Sequence, residues 1–469
     1  MMAQPTKKYL GCIIQLIFSN QYVITLARSF LYPFPGVKEE MQALAYRLRK
    51  IGRTPLHPLI PEKLEVVNMT TSPDGRTHQL LLDVSDLSLR DFHTGIPRVV
   101  RALLFEILHN PPTGYQVAVV RANAEGRIVY ARQFTAAFLE QPEPVETDRP
   151  VRIGPGDLFF SADLHLSFPF ESLQRLRAQG LRVVFTVYDL IALQLDTMPK
   201  PLRLAFSDWF TGVLATTDAI ICDSRTVADE VFNWLQMHSD IRYTPLPIGY
   251  FHLGANLEAS CPTQGIDSQF ETMLNKIAGQ PTLLMVGTIE PRKGYSQALT
   301  ALEWFWAKGI GIKLVIVGRE GWRSSALIRR LRRHPQKDRH LFWLERASDA
   351  LLLQLYRQCT ALLAASYAEG FGLPLIEAAH YGLPIIARDI PIFREVAGEN
   401  AYYFPNGDAK ALTNAIEEWF ALHATEKTPT SQGIPFLTWA QSAQQVLDVL
   451  ITNKWYRVWQ APSDVSEND

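Results

Sequence analysis

The sequence predicts an α/β protein: two Rossmann-like, doubly wound domains facing across a cleft, with a helical extension at the N-terminus. Three observations carry this. The chain has 469 residues, about three times a typical single domain, so two domains plus appendages are expected. From His78 onward, short apolar runs alternate with helical segments, the pattern of βαβ units and parallel sheets. Those runs fall into two sets, separated near 252–280 by a stretch holding Gly254, Cys261-Pro262 and Gly265.

The first set has strand candidates at 79–84 (QLLLDV), 115–120, 157–161, 181–188 and 218–222, with a helix from Pro97 to His109, and ends near PLPIGYF at 245–251. The second begins at 281–287 (PTLLMVG) and continues through 312–318, 341–345, 361–366 and 384–388. The organisation expected is therefore an extension over 1–75, a first domain over 76–251, a linker over 252–280, a second domain over 281–437, and a C-terminal amphipathic helix and tail over 438–469.

Composition narrows the function classes. With 47% hydrophobic and 20% charged residues the chain can bury a large core, which excludes a disordered, collagen-like or disulfide-stapled protein. Its 46 Lys and Arg nearly cancel 47 Asp and Glu, so no global field recruits nucleic acid, and none is expected as a partner. Arg323 to Arg339 read as a solvated helix face. The four cysteines, Cys12, Cys222, Cys261 and Cys359, are far apart and lack metal-ligand spacing, which fits a cytoplasmic setting.

Lys7 and Lys8 precede an apolar stretch, Leu10 to Tyr32, but Gln15, Asn20, Gln21 and Arg28 interrupt it, so a membrane span is not expected. Leu10, Ile13, Ile14 and Ile17 form one helical stripe, and Val23, Leu26, Ala27, Phe30 and Leu31 another. Residues 1–63 carry nine cations against three acids. Two readings stand: the stripes pack on the protein's own body, or they lie on the inner face of an anionic membrane.

In doubly wound folds ligands bind at the carboxyl ends of the strands, so the residues just after each strand are the candidates. After 281–287 comes Gly287-Thr288-Ile289-Glu290-Pro291-Arg292-Lys293-Gly294, a turn with two adjacent cations. Such a turn suits a diphosphate, because Arg can grip phosphate bidentately, Lys adds a compact charge, and a helix start offers free N–H groups. After 361–366 comes Ser366-Tyr367-Ala368-Glu369-Gly370-Phe371-Gly372-Leu373-Pro374-Leu375-Ile376-Glu377, with two carboxylates eight residues apart, one on a glycine turn and one in the following helix. Each can accept hydrogen bonds from vicinal hydroxyls, as a sugar ring and a ribose would present.

These segments, together with ARDIPIFREVAG (387–398) and YFPNGDAKAL (403–412), resemble family-four retaining glycosyltransferases of the GT-B fold, in particular the mannosyltransferases of bacterial polysaccharide assembly. The likeness covers about 80–465 and is most specific over 281–420; DVSDLSLRDFHTGIPRVV (83–100) resembles the family's first strand, glycine loop and helix. The resemblance implies a hexosyl transfer, leaning to mannose from GDP-mannose, onto a growing glycan or lipid-linked acceptor, without a metal or a separate cofactor. It implies Arg292 and Lys293 on the donor diphosphate, Glu369 and the Gly370-Phe371-Gly372 amides on the donor sugar, and Glu377 on the ribose. Gly287, Thr288 and Leu373 line the same loops, and Gly95 stands near the diphosphate across the cleft.

Two departures qualify the pattern. Thr288 stands where many family members have an arginine, which leaves Arg292 as the candidate for that charge. Tyr188-Asp189 replaces a His-Asp pair, so histidine chemistry there is excluded, and Asp189 either orients a hydroxyl or caps the next helix. Asp223-Ser224 reads as an N-cap, and His165 as a structural histidine with an acceptor contact as the alternative. A catalytically silent partner subunit and a nucleotide-sugar epimerase on the same fold are the other classes that fit.

Overall fold

The computed structural model describes residues 77–90, 95–142, 147–256 and 268–461. The stripes and cation excess of residues 1–63 lie outside the described residues. In chain order the strands are β1 (His78–Asp83), β2 (Tyr115–Ala122), β3 (Ile128–Tyr130), β4 (Leu158–Ser161), β5 (Arg182–Val187), β6 (Ala219–Cys222) and β7 (Leu246–Tyr250). They continue with β8 (Thr282–Val286), β9 (Lys313–Val317), β10 (Leu341–Leu344), β11 (Ala361–Ala364), β12 (Ile385–Arg388), β13 (Tyr402–Phe404) and β14 (Arg457–Trp459). The helices that bear on the site are α1 (Ile96–His109), α2 (Arg225–Met237), α3 (Tyr295–Ala307), α4 (Asp349–Gln358), α5 (Leu373–His380), α6 (Pro391–Ala397) and α7 (Trp439–Thr452).

Two sheets result. The first runs β14-β7-β6-β5-β4-β1-β2-β3 and the second β10-β9-β8-β11-β12-β13. All pairings in the second are parallel, and in the first only the two edge strands, β3 and β14, are antiparallel. Central strands such as β1 (HQLLLD) and β9 (KLVIV) are continuous apolar runs because helices cover both faces of a parallel sheet, so no side of the strand meets water. In each sheet the chain starts in the middle and reverses direction, at β1/β4 and at β8/β11, and the loops leaving those strands open into one crevice.

The C-terminal segment does not stay with the second sheet. Helix α7, capped by a Thr438/Gln441 capping box, packs on α1 and β7, and β14 then pairs antiparallel with β7 at the edge of the first sheet. Beside it the two chain crossings between the domains touch: Ala255 donates its N–H to Leu437 O at 2.8 Å, and Trp439 N–H donates to Asn256 Oδ1 at 2.9 Å. Gly254 is required there, since a Cβ would come within 2.6 Å of the Trp439 ring.

Candidate functional site

The loops leaving β8 and β11 meet at the switch point of the second sheet. A short 3-10 turn, Pro291–Lys293, ends at Gly294 in the left-handed conformation (φ 72°) before α3 begins. Any Cβ at Gly294 would lie 2.3 Å from Ala365 O, so glycine allows the β8 loop to press directly against the β11 loop. The β11 loop is held from beneath by Arg388, fully buried at the end of β12. Its guanidinium donates to Ala365 O at 3.1 and 3.0 Å and lies 3.8 Å from the Tyr367 ring centre.

This contact brings together three of the expected residues. Lys293 Nζ lies 2.5 Å from Glu369 Oε1, and Arg292 Nη1 lies 3.0 Å from Glu369 Oε2 and donates to Ala368 O at 3.0 Å. Ser366 Oγ adds a bond of 2.6 Å to Glu369 Oε1, while Arg292 Nε also takes Glu290 Oε2 at 2.8 Å. Burial pushes the Glu369 carboxyl up, but the Lys293 and Arg292 charges outweigh it and hold it down at about 2. Burial works against the Arg292 charge in the same way, and Glu369, Glu290 and Asp189 more than restore it. Glu369 is thus a permanent anion at neutral pH, and the two cations are not bare phosphate clamps but are balanced by carboxylates. Arg292 carries charge into this cluster, whereas Thr288 packs beside Gly321.

The glycine turn faces the other domain. A Cβ on Gly370 would lie 2.0 Å from Tyr188 O and 3.3 Å from Asp223 Oδ2, and Ser224 Oγ donates to Gly370 O at 2.9 Å. Gly372 takes φ 92° as the cap of α5, with Leu373 and Pro374 in the first turn, so the helix N–H groups point at the crevice. The Phe371 side chain is buried and packs against the His252 ring, which leaves its backbone for a ligand. Across the crevice Gly95 caps α1 at φ 59° and ψ −133°, a conformation for glycine alone, and a Cβ there would meet nothing within 4 Å.

Glu377 lies elsewhere than beside this cluster. It is 3% exposed, with Arg98 Nη1 at 2.8 Å on one oxygen and Tyr356 OH at 2.6 Å on the other. Arg98 belongs to α1 of the first domain and also takes Asp349 Oδ1 at 2.5 Å. A second junction lies at α6, where Glu395 accepts from Arg225 N and Thr226 N, the start of α2, and contacts His252 Nε2 at 2.9 Å.

In the first domain, Asp189 Oδ1 accepts Ile191 N–H at 3.1 Å, which ties the carboxylate to the following turn even as it faces Arg292. Burial raises its pKa and Arg292 opposes the rise. The cap of α2 comes from Ser224, whose Oγ accepts Val227 N–H. The N-cap expected of the Asp223-Ser224 pair is thus present and comes from the serine, while Asp223 Oδ1 is buried without a partner among the described residues and burial pushes its pKa well up. His165 Nδ1 rests 3.4 Å from Asp86 Oδ1. Arg330 and Arg332 pair with Glu303 and Glu345. Arg98, Asp349, Tyr356, His252 and Glu395 escaped the sequence reading. Arg98, inside the GIPRVV segment, and Glu395, inside ARDIPIFREVAG, lay in segments already matched, and the other three carried no local signal.

Two sheets reversing direction at matching places, with a cation–carboxylate cluster where the crevice opens between them, define a two-domain protein of the GT-B class. Residues 269–433 match the family Glycosyl transferases group 1. It is 40% identical over 379 residues to the serotype-specific mannosyltransferase WbdA of Escherichia coli, an alignment covering 79% of this chain and 46% of that protein. The chain therefore spans about half the length of the curated relatives it matches. Among solved structures, the catalytic domain of starch synthase IV from Arabidopsis thaliana superposes with a TM-score of 0.53 at 12% identity, over 80% of this chain and 99% of that one. Sucrose-phosphate synthase from Thermosynechococcus elongatus gives 0.52 at 18% identity, over 80% and 97%. At those identities the likeness is one of fold. Among the described residues no helix is long and apolar enough to cross a membrane.

Proposed function

We propose that the chain is a retaining hexosyltransferase that moves mannose from a nucleotide sugar, GDP-mannose, to a glycan or lipid-linked acceptor in surface-polysaccharide synthesis. The observation that carries this reading is the Lys293–Glu369–Arg292 cluster at the switch point of the second sheet, facing Asp189 and Tyr188 of the first domain. The mannosyltransferase named among the relatives supports the choice of sugar.

As the donor diphosphate departs, negative charge grows on its oxygens. Lys293, Arg292 and the free N–H groups at the start of α5 are the groups we assign to meet that charge, and a site already organised loses little in reorganising. Glu369, kept ionised by its cations, is a hydrogen-bond acceptor for a sugar hydroxyl and favours positive charge developing at the anomeric carbon. A departing diphosphate oxygen could itself take the acceptor proton, so no carboxylate is required as a nucleophile, and the two glutamates are not a glycosidase pair. Asp189, at the end of β5, is the group we assign to the acceptor side. Residues 1–63 would bring the protein to the inner membrane surface, where a lipid-linked acceptor is presented.

The test is stereochemical. Purified protein is incubated with a panel of nucleotide sugars and mannosyl acceptors, and the product linkage is read by NMR, with and without EDTA. An α-linked product from an α-linked donor, formed in EDTA, supports the proposal. An inverted product, or activity lost in EDTA and restored by manganese, overturns the mechanism, and turnover of another donor alone overturns the choice of sugar.

A further inference from the structure

We propose that Arg98 and the ribose of the donor nucleotide compete for Glu377, so that Arg98 is a latch between the domains which donor binding must release. The proposal rests on the assignment of Glu377 to the ribose. Both carboxylate oxygens of Glu377 are engaged, by Arg98 and by Tyr356, and the side chain is 4% exposed. With so little of the side chain exposed, the ribose hydroxyl is taken to reach it by moving the guanidinium aside.

The local physics makes that exchange feasible. Arg98 sits in the first turn of α1, the end of a helix where a cation is least welcome, and that turn holds no acid of its own. Its charge is therefore compensated from the other domain, by Glu377 on α5 and Asp349 on α4. Asp349 is in the first turn of its helix, behind the Ser348 cap, and so is stabilised as an anion by the helix itself. When ribose takes Glu377, Arg98 retains Asp349 as its counter-ion, and no buried charge is stranded. Since the cation and the two carboxylates belong to different domains, the exchange also loosens one of the contacts between them.

The arrangement predicts effects of opposite sign. In the full chain, Arg98→Met removes the competitor, and GDP affinity measured by calorimetry should rise by about tenfold, the equivalent of one charge-assisted contact. Asp349→Asn removes the fallback counter-ion, drives Arg98 harder onto Glu377, and should lower GDP affinity; this variant keeps one buried ion pair and so guards against a loss of fold. Titrations with UDP and ADP alongside show whether the effect follows the ribose common to all three. In the Arg98→Met background, Glu377→Gln should still weaken binding. If it does not, the ribose assignment fails. If it does, while Arg98→Met leaves affinity unchanged or lowers it, or Asp349→Asn leaves it unchanged or raises it, the assignment stands and the competition is overturned.

Discussion

The two glutamates of the E-x7-E segment, eight residues apart, are held in opposite ways. Glu369 is gripped inside its own domain, by Lys293 and Arg292 from the adjoining loop and by Ser366. Glu377 is gripped from the other domain, by Arg98. The first environment belongs wholly to one domain, whereas the second keeps only its Tyr356 bond when the domains part. A group that must keep its charge through every turnover is well served by the first arrangement, and a group that reports occupancy by the second.

Three substitutions break or sharpen this contrast. The largest effect is expected from Glu369→Gln, which keeps the shape but removes the charge. Turnover of the nucleotide sugar should fall by about 10²- to 10³-fold, the scale of a lost electrostatic contact to a transition state, while calorimetry shows nucleotide affinity retained. Parallel losses in both would place Glu369 in ground-state binding instead. Next is Lys293→Ala, which removes a charged donor expected on the diphosphate and should weaken nucleotide binding by about ten- to a hundredfold. Unchanged titration isotherms for the folded variant would remove Lys293 from the donor site.

The smallest effect falls on stability, at the other junction. Burial pushes Glu395 up, but His252, Thr226 and the N–H groups opening α2 hold it down at about 2, against an ordinary value of 4.5. A carboxyl whose pKa is lowered by folding is protonated first in the unfolded chain, so its contribution is complete above about pH 4.5 and is lost as pH falls toward 2. Glu395→Gln should cost about 1 to 2 kcal/mol at pH 7, read by denaturant unfolding, and the gap to wild type should close across that acid window. A gap independent of pH would mean that Glu395 acts through packing alone.

The interior strands were legible because a parallel sheet covered on both faces writes itself as short, mainly apolar runs: 281–287 and 312–318 contain β8 and β9, and 79–84 covers all of β1 but His78. Strands β3, β13 and β14 were not, each having three residues, and β7 (LPIGY) carries a proline and a glycine that interrupt a strand pattern. Strand β14 also depends on where the chain travels after α7, which no local pattern states. The same division holds in the site. Arg292, Lys293 and Glu369 were found because each sits in a short motif directly after a strand, and one glycine contact brings those motifs together. Arg98 and Glu377 are separated by 279 positions, and their meeting depends on how two domains approach.

The paired crossings at Ala255–Leu437 and Asn256–Trp439 have a mechanical consequence. A single tether would leave one body free to swivel about any direction, as on a string. Two strands bonded side by side remove most of those degrees of freedom and leave a pivot, like a door hung on adjacent pins, about which the crevice can widen while the loops on either side keep their alignment. Because α7 and β14 continue from that pivot into the first sheet, a cut between Thr438 and Arg457 would strip an edge from the domain opposite the one the chain had just left. The first sheet is thereby completed by residues that follow the whole of the second domain.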